Sequence, residues 1–246
     1  MTATSWATWL PQMPALLEHF RVLRYDTRGH GQSEVTPGPY SIAQLGGDVV
    51  ALLDHLKIDK AHIMGGCMGC SPVIAMGTQA PERVLSMVIY WPVGGPKYRM
   101  SSHQRFAEHL AFVHQNGMQA VVDLIKRDGK AFGADPRGGP WASVIKADRA
   151  FADTYAQLDV EKYKHVVVGM VRGLMDRDTA PGAEPEDMMR CELPAIIVPG
   201  SDNFHATSAA RYLQECLPNA RYWDMAPAGQ SEEATRKELL DFLGSV

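Results

Sequence analysis

The sequence of 246 residues has no run of basic residues and no long apolar segment. Its formal net charge of −4 is spread along the chain, which excludes the positive surface that binding to nucleic acid or to an anionic membrane requires. The first twenty residues lack the basic start and apolar stretch of a signal peptide, and no later window is long enough to span a membrane. The composition therefore predicts a cytoplasmic protein with no nucleic-acid and no membrane partner.

Cysteine is also scarce, with four residues in the chain: Cys67, Cys70, Cys191 and Cys216. In a chain of this size without an export signal, they are expected to be reduced thiols. Cys67 and Cys70 form a C-x-x-C pair, but a redox or metal motif would need a thioredoxin-like context or a second ligand pair. Neither follows, and no Gly-rich phosphate loop is present, so the sequence predicts no metal and no cofactor.

Hydrophobic residues make up 46% of the chain and follow alternating strand and helix patterns. Short apolar runs typical of strands lie at 21–25, 62–64, 84–90, 195–198 and 221–223. Apolar residues at helical spacing predict helices over 41–56, 71–79, 208–216 and 231–242. Strands that alternate with helices through short links predict an α/β fold with a mostly parallel sheet flanked by helices.

Residues from about 101 to 189 show helical periodicity without a strand pattern, which predicts a helical cap inserted into the α/β core. The predicted organisation is 1–95 for the first part of the core, 96–190 for the cap and 191–246 for the second part. Large apolar residues in the cap favour a small apolar or aromatic substrate, although most of them are expected to pack helices. They are Phe106, Phe112, Met118, Phe132, Trp141, Phe151, Tyr155 and Met170.

The most informative motif is Gly65-Gly66-Cys67-Met68-Gly69, between a predicted strand and a predicted helix. A nucleophile on a sharp strand-to-helix turn needs neighbours without bulk, and the N-terminal end of a helix favours the reactive thiolate form. The pattern predicts Cys67 as a nucleophile. The alternative is an inert, buried Cys67 in an elbow without function.

The motif at Gly65 to Gly69 and the segment Tyr25-Asp26-Thr27-Arg28-Gly29-His30-Gly31-Gln32-Ser33 resemble the α/β-hydrolase superfamily. Residues 52–58 and 80–84 are similar to its enol-lactonase and C–C bond hydrolase branch, and a cysteine nucleophile resembles dienelactone-hydrolase-like enzymes. The resemblance implies an α/β-hydrolase fold and an enzyme that hydrolyses small ester, thioester or lactone bonds, or C–C bonds next to a ketone. A catalytically impaired protein that binds an apolar ligand, and a lyase or cofactor-free oxygenase, stay open as alternatives.

The same resemblance implies an acid in the loop after the strand at 195–198, where Asp202 is the candidate, with a loop or capping role as the alternative. The family's catalytic histidine is replaced by Gln230, which can support a site by hydrogen bonding but cannot take a proton near neutral pH. His205, three residues after Asp202, is the predicted substitute base, and His30 is the next choice. Both could instead stabilise their loops. Histidines of the cap stay unranked: His103, His109, His114 and His165.

Family members also begin with two or three strands and a His-Gly segment that donates one oxyanion N–H, and this sequence lacks that segment. One of those strands separates the counterparts of residues 21–25 and 62–64. Three explanations stay open: an N-terminal truncation, a closer approach of the two strands, or a strand borrowed from a partner in a homo-oligomer. The resemblance thus implies that the backbone N–H of Met68 is the remaining oxyanion donor, and the loss of one such donor lowers a rate by about a hundredfold or more.

Overall fold

The computed structural model describes residues 9, 11–28, 33–34, 41–179 and 182–246. These residues pack as two compact units. Residues 99–176 form the helical unit, and the chain up to Tyr98 and from Arg177 onward forms the sheet unit. The chain thus leaves the sheet unit once and returns to it.

Among its described residues, the sheet unit contains four parallel strands in the order β1-β2-β3-β4. The strands are β1 Ala61–Gly66, β2 Val84–Tyr90, β3 Ala195–Val198 and β4 Ala220–Tyr222. β2 and β3 have the bounds predicted from their apolar runs, and the predicted parallel pairing is confirmed. Because β2 and β3 are central, they are buried on both faces, which is why they read as continuous apolar runs.

In the ranges that the structure describes, the α-helices in chain order are α1 Met13–His19, α2 Ile42–His55, α3 Cys70–Gln79, α4 Pro96–Asp128, α5 Ala142–Ala147, α6 Arg149–Ala156, α7 Val160–Met175, α8 Pro185–Met189, α9 Thr207–Cys216 and α10 Glu232–Leu243. Two predicted starts are capped by serine. The Ser41 hydroxyl accepts the N–H of Gln44, and the Ser231 hydroxyl accepts that of Ala234. None of the helices in the described ranges is both long and apolar enough to cross a membrane.

Apolar side chains cover both faces of the sheet. On one face Met87, Ile89 and Ile197 pack with residues of α2, α3 and α9. On the other face Val88 and Ile196 pack with residues of α1 and α10. The alternation of neighbouring residues between the two clusters follows from the period of two along a strand. The sheet unit is therefore a layer of strands between two layers of helices, as predicted.

The helical unit has its own apolar core, and within 99–176 the described residues include no strand. α4 is interrupted at Gly117, where φ is 80° and ψ is 170°. All eight large apolar residues singled out above belong to this core, four of them buried and four partly buried. Their main role is thus to pack the helices together, which the sequence favoured for most of them.

The predicted strand at residues 21–25 is wrong. Residues 21–27 are not assigned to a strand and join none of the four strands of the sheet as described. Phe20 and Val22 nevertheless pack against the α1 and α10 face of the sheet. The apolar pattern therefore reflects packing, whereas a strand needs a hydrogen-bonded neighbour that sequence periodicity does not supply.

Candidate active site

The carboxyl ends of the four parallel strands lie along one edge of the sheet, and residues of interest follow each of them. Cys67 follows β1, Trp91 follows β2, the loop with Asp202 and His205 follows β3, and Gln230 comes after β4. In open parallel sheets this edge is where ligands bind. Residues that are distant in sequence are therefore gathered at one edge.

Cys67 occupies a strained turn directly after β1. Its φ of 57° lies in the left-handed region, which residues with a side chain seldom adopt. The helical turn Cys67–Gly69 leads directly into α3, so Cys67 lies at the N-terminal end of helical backbone. Backbone strain of this kind concentrates at functional sites, and a strained strand-to-helix turn is the geometry of a nucleophile elbow. The structure thus places Cys67 where the sequence predicts an elbow.

The glycines on the two sides of Cys67 differ in their importance. A Cβ at Gly65 would overlap the carbonyl oxygen of Gly69 and lie 2.5 Å from its carbonyl carbon. A Cβ at Gly69 would meet no atom within 4 Å. The close approach of β1 to the following helix therefore requires glycine at position 65, and the prediction of a space constraint at position 69 is wrong because that position is open.

Cys70, the second cysteine of the C-x-x-C pair, is a buried structural thiol. Its S–H lies 3.2 Å from the carbonyl oxygen of Gly65 and 3.3 Å from that of Tyr90. Burial raises the pKa of Cys70 well above its usual value. All four cysteines are free thiols, and Cys67 is the one that is not buried. The pair therefore consists of one accessible and one inaccessible thiol.

Asp202 and His205 form a hydrogen-bonded pair in the loop after β3. The Nδ1–H of His205 lies 2.8 Å from Oδ2 and 2.9 Å from Oδ1 of Asp202. Asp202 Oδ1 also accepts the backbone N–H of Phe204 at 2.7 Å and of His205 at 2.9 Å. The carboxylate accordingly fixes both the loop and the imidazole. The two roles that the sequence left open for Asp202, loop structure and orientation of a histidine, are geometrically combined.

The electrostatics of this pair favour charged forms of both partners. Burial alone would raise the pKa of Asp202, but hydrogen bonds from His205 and from the backbone outweigh it and lower that pKa. Burial would lower the pKa of His205, but the neighbouring Cys67 thiol and the Asp202 carboxylate outweigh it and raise that pKa. The imidazole is thus stabilised in its protonated form by two neighbours of negative or potentially negative charge.

The Cys67 thiol is a neighbour of the His205 imidazole and contributes to its raised pKa. Nδ1 is bonded to Asp202, which leaves Nε2 for the thiol. Within the described residues, Nε2 is buried and makes no hydrogen bond of ordinary length and angle. The Cys67 thiol and the Asp202 carboxylate therefore both neighbour the same imidazole. The structure brings Cys67, His205 and Asp202 together in the order of a triad.

Backbone contacts hold the His205 loop against the segment that follows β2. The N–H of Gly94 donates to the carbonyl of Phe204 at 3.0 Å, and the N–H of Ala206 donates to the carbonyl of Gly94 at 3.3 Å. A Cβ at Gly200 would lie 2.5 Å from the Cβ of His205 and 2.9 Å from its carbonyl oxygen. Glycine at position 200 thus permits the close return of the loop.

Gln230 is a bridging residue. Its side-chain oxygen accepts the Nε1–H of Trp91 at 2.6 Å, and its amide nitrogen donates to the carbonyls of Pro199 at 2.8 Å and Met225 at 2.9 Å. Trp91 in turn lies against His205, with ring centroids 5.7 Å apart. Sequence reasoning missed Trp91 as a site residue. Its position directly after a buried strand, at the edge where Cys67 also lies, is the signal that could have identified it.

Met68 follows Cys67 in the helical turn, and its sulfur accepts a hydrogen bond from the Tyr98 hydroxyl at 3.2 Å. Tyr98 is almost fully buried and was also missed. Met68 lies in the first helical turn, where N–H groups have no partner within the helical segment. His30, the second candidate base, lies outside the described residues.

His109, one of the unranked histidines, is fully buried in the helical unit. Its Nδ1–H donates to the carbonyl of Arg137 at 2.9 Å, and its Nε2 accepts from the Tyr163 hydroxyl at 2.8 Å. The Tyr155 hydroxyl donates to Tyr163 at 2.7 Å. We assign this direction because a carbonyl can only accept. The chain of hydrogen bonds is complete within the unit, which indicates a structural role for His109.

In the part of the chain that is described, no group of three or more His, Cys, Asp or Glu residues is arranged to hold a metal ion. The residues at the sheet edge are instead those of acyl-transfer chemistry: a thiol, an imidazole and a carboxylate.

Comparison with known proteins gives a consistent picture. Residues 2–230 match the model of a family described as alpha/beta hydrolase fold. Over 253 residues the chain is 29% identical to RutD of Caulobacter sp. (strain K31), named as a carbamate hydrolase, with 96% of this chain and 85% of that protein covered. It is 41% identical over 119 residues to 3-oxoadipate enol-lactonase 2 of Acinetobacter baylyi, which covers 48% of this chain and 43% of that protein.

A solved structure of the enol-lactonase from Burkholderia xenovorans LB400 is similar over nearly the whole chain. It superposes with a TM-score of 0.60 at 28% sequence identity, and the alignment covers 99% of this chain and 88% of that one. The similarity to an enol-lactonase therefore extends beyond the partial alignment with the Acinetobacter protein.

Proposed function

The chain belongs to the alpha/beta hydrolase fold family, and on that premise we propose that it hydrolyses small ester, thioester or lactone bonds with Cys67 as the nucleophile. The observation that carries the proposal is the interaction of Cys67 with an imidazole that Asp202 holds by Nδ1. A protein that only binds an apolar ligand has no use for this order of thiol, imidazole and carboxylate. The proposal therefore favours catalysis over binding alone.

In the proposed first half-reaction, His205 Nε2 takes the proton of the Cys67 thiol and the sulfur attacks the carbonyl carbon of the substrate. The negative charge that forms on the carbonyl oxygen is accepted by the N–H of Met68, at the N-terminal end of the helical turn. As the tetrahedral intermediate collapses, the bond to the leaving oxygen or sulfur breaks, and His205 returns its proton to that atom. A thioester between Cys67 and the acyl group results.

In the second half-reaction, His205 Nε2 takes a proton from water, whose oxygen attacks the carbonyl carbon of this thioester. The carbon–sulfur bond breaks, the proton returns to the sulfur, and a carboxylic acid leaves. For a lactone the leaving oxygen remains attached to the acyl group, so the product is a hydroxy acid or, from an enol lactone, a keto acid. Asp202 stays ionised throughout and holds the imidazole by Nδ1.

The raised pKa of His205 and the lowered pKa of Asp202 support this chemistry. The raised pKa of His205 makes its imidazole a stronger acceptor for the proton of the Cys67 thiol, and the thiolate is the reactive form of cysteine. A thiolate is itself a good leaving group, so the tetrahedral intermediate can expel Cys67 and return to substrate. It proceeds to the thioester only when the substrate's own leaving group departs readily. Thioesters, lactones with enol oxygens and activated esters meet this condition, whereas simple amides do not. The relationship to enol-lactonases supports the same substrate class.

The proposal is tested by turnover and by capture of the acyl-enzyme. The assay compares wild-type protein with Cys67→Ala and with the matched control Cys70→Ala. The substrates are p-nitrophenyl acetate, an acyl thioester, an aromatic enol lactone and a compound with a cleavable C–C bond next to a ketone. The aromatic member also tests the predicted apolar or aromatic substrate. Thermal unfolding of each variant establishes that it is folded. We expect turnover and a Cys67-bound acetyl group in wild-type and Cys70→Ala protein, and neither in Cys67→Ala.

Two results would contradict the proposal. If wild-type protein turns over none of these substrates above background, binding without catalysis gains. If Cys67→Ala retains the wild-type rate, the thiol is not the nucleophile. Cleavage of the C–C substrate alone would instead assign the protein to the C–C bond hydrolases.

A further inference from the structure

The side chain of Gln230 connects three segments at the carboxyl edge of the sheet. Its oxygen accepts from Trp91 after β2, and its nitrogen donates to Pro199 after β3 and to Met225 after β4. An indole N–H can only donate and a backbone carbonyl can only accept, so these partners fix the orientation of the amide. None of the hydrolytic steps proposed above uses this bridge that the Gln230 side chain forms between the three segments.

Trp91, the side-chain partner of Gln230, has a strained backbone. Its φ of 49° lies in the left-handed region, where a bulky residue is seldom found. Its N–H donates to the carbonyl of Val198 at 2.8 Å, so the backbone is tied to β3 while the ring is tied to Gln230. Strain of this kind persists only where surrounding contacts impose it, and it concentrates near functional sites. The two ties set the direction of the indole ring.

The indole ring lies against the imidazole of His205, with centroids 5.7 Å apart and planes at 54°. That imidazole is hydrogen-bonded at Nδ1 to Asp202, which has a side chain that is 49% exposed. A hydrogen bond at one nitrogen is a single restraint on the orientation of the ring about its Cβ–Cγ bond. Contact with the rigid indole restrains the remaining rotation, and with it the position of Nε2 relative to Cys67.

We propose that Trp91 and Gln230 are positioning residues that hold the His205 imidazole with Nε2 toward Cys67. This inference rests on the proposed function, because it assigns the two residues a role in activating the Cys67 thiol. It also explains why a glutamine stands where the α/β-hydrolase pattern has a histidine. With the base located in the loop after β3, the residue after β4 serves to fix the ring that supports it.

The experiment uses the 246-residue chain and measures, by peptide mapping, the rate at which iodoacetamide alkylates Cys67 from pH 5 to 9. Gln230→Met keeps the length of the side chain but loses all three hydrogen bonds, and Trp91→Phe keeps a ring but loses the N–H. The variant His205→Ala defines the profile of a thiol without its imidazole. Asn219→Ala, which loses one side-chain hydrogen bond to Glu192 away from the site, is the control. Thermal unfolding is recorded for every variant.

We expect alkylation of Cys67 at pH 6.5 to fall about tenfold in Gln230→Met, and its pH profile to move toward that of His205→Ala. Trp91→Phe should shift the profile in the same direction. Because both residues act through one contact, the double variant should show no larger shift than Gln230→Met alone. Asn219→Ala should match the wild type.

A purely structural role would lower the unfolding temperature of these variants and leave the pH profile unchanged, and that result would overturn the inference. If Gln230→Met does not fold, Trp91→Phe, which removes a single N–H, decides the question. Identical profiles for wild type and His205→Ala would mean instead that the imidazole does not activate Cys67, which contradicts the proposed function. The two failures are therefore distinguishable.

Discussion

Replacing Asp202 separates its effect on chemistry from its effect on stability. Asp202 accepts two backbone N–H groups as well as the Nδ1–H of His205. In Asp202→Asn the amide oxygen can still accept the backbone N–H groups at the place of Oδ1, but the amide nitrogen, a donor, replaces Oδ2, the oxygen that lies nearer to Nδ1. The imidazole then carries its hydrogen on Nε2, where it cannot take the proton of the Cys67 thiol. We expect kcat/KM to fall by about 10²- to 10⁴-fold, the contribution of a general base.

Asp202→Ala should lose less activity but more stability than Asp202→Asn. No donor faces Nδ1, and because the Asp202 side chain is 49% exposed, water can accept the Nδ1–H of His205 in its place. Part of the population keeps the productive tautomer, so this variant should retain more activity than Asp202→Asn. It loses the acceptor of two backbone N–H groups, each worth about 0.5–1.5 kcal/mol, so its unfolding free energy should fall by roughly 1–3 kcal/mol.

The assay is kcat/KM with p-nitrophenyl acetate at pH 7, together with urea unfolding. Activity should decrease from wild type to Asp202→Ala to Asp202→Asn, whereas stability should decrease from wild type to Asp202→Asn to Asp202→Ala. Asp224→Asn, at a carboxylate that is 86% exposed, is the matched control and should change neither. If activity follows stability across the two Asp202 variants, or if Asp202→Asn matches the wild type, the reasoning from tautomers is refuted.

Further predictions concern the elbow, the helical unit and the imidazole. Gly65→Ala should lower the free energy of unfolding by about 3 kcal/mol or more because the new Cβ meets the backbone of Gly69. Gly69→Ala should leave the free energy of unfolding unchanged or raise it by up to about 1 kcal/mol, and equal values for the two variants would contradict the close approach of β1 to the following helix at Gly65. Burial lowers the pKa of His109, so its contribution to stability is complete above about 6.5 and is lost as pH falls through the folded-state pKa. His109→Gln should therefore weaken the acid dependence of unfolding, and an unaltered dependence would exclude this residue as its source. Cys67→Ala should lower the pKa of His205 in an NMR titration, and an unchanged value would argue against their interaction.

Local patterns predicted most of the elements correctly. The run at Val84 to Tyr90 gave a strand of the same bounds because a central strand is buried on both faces. Ser41 marked the start of a helix because its hydroxyl caps a nearby N–H. The elbow was predictable because the glycine at position 65 and the following helix are neighbours in sequence. Asp202 and His205 were also within reach, since they are three residues apart.

Non-local contacts limited the rest. Residues 21–25 have a strand-like pattern, but strand formation depends on a neighbour elsewhere in the chain, and none of the four described strands pairs with them. The hydrogen bond between Trp91 and Gln230 joins residues 139 positions apart, so neither sequence segment indicates it alone. The contact of Tyr98 with Met68 has the same character. The sequence indicates that Gln230 cannot be a base, but it does not indicate that its side chain hydrogen-bonds to Trp91, Pro199 and Met225.

The most direct test of the central claim is the rate at which iodoacetamide alkylates each cysteine at pH 6.5, measured by peptide mapping. The buried thiols Cys70, Cys191 and Cys216 serve as internal controls. We expect Cys67 to react at least about tenfold faster than these three, and His205→Ala to slow its reaction about tenfold because the imidazole that takes the thiol proton is lost. An unreactive Cys67, or an equal rate in His205→Ala, would contradict an activated thiol at this elbow.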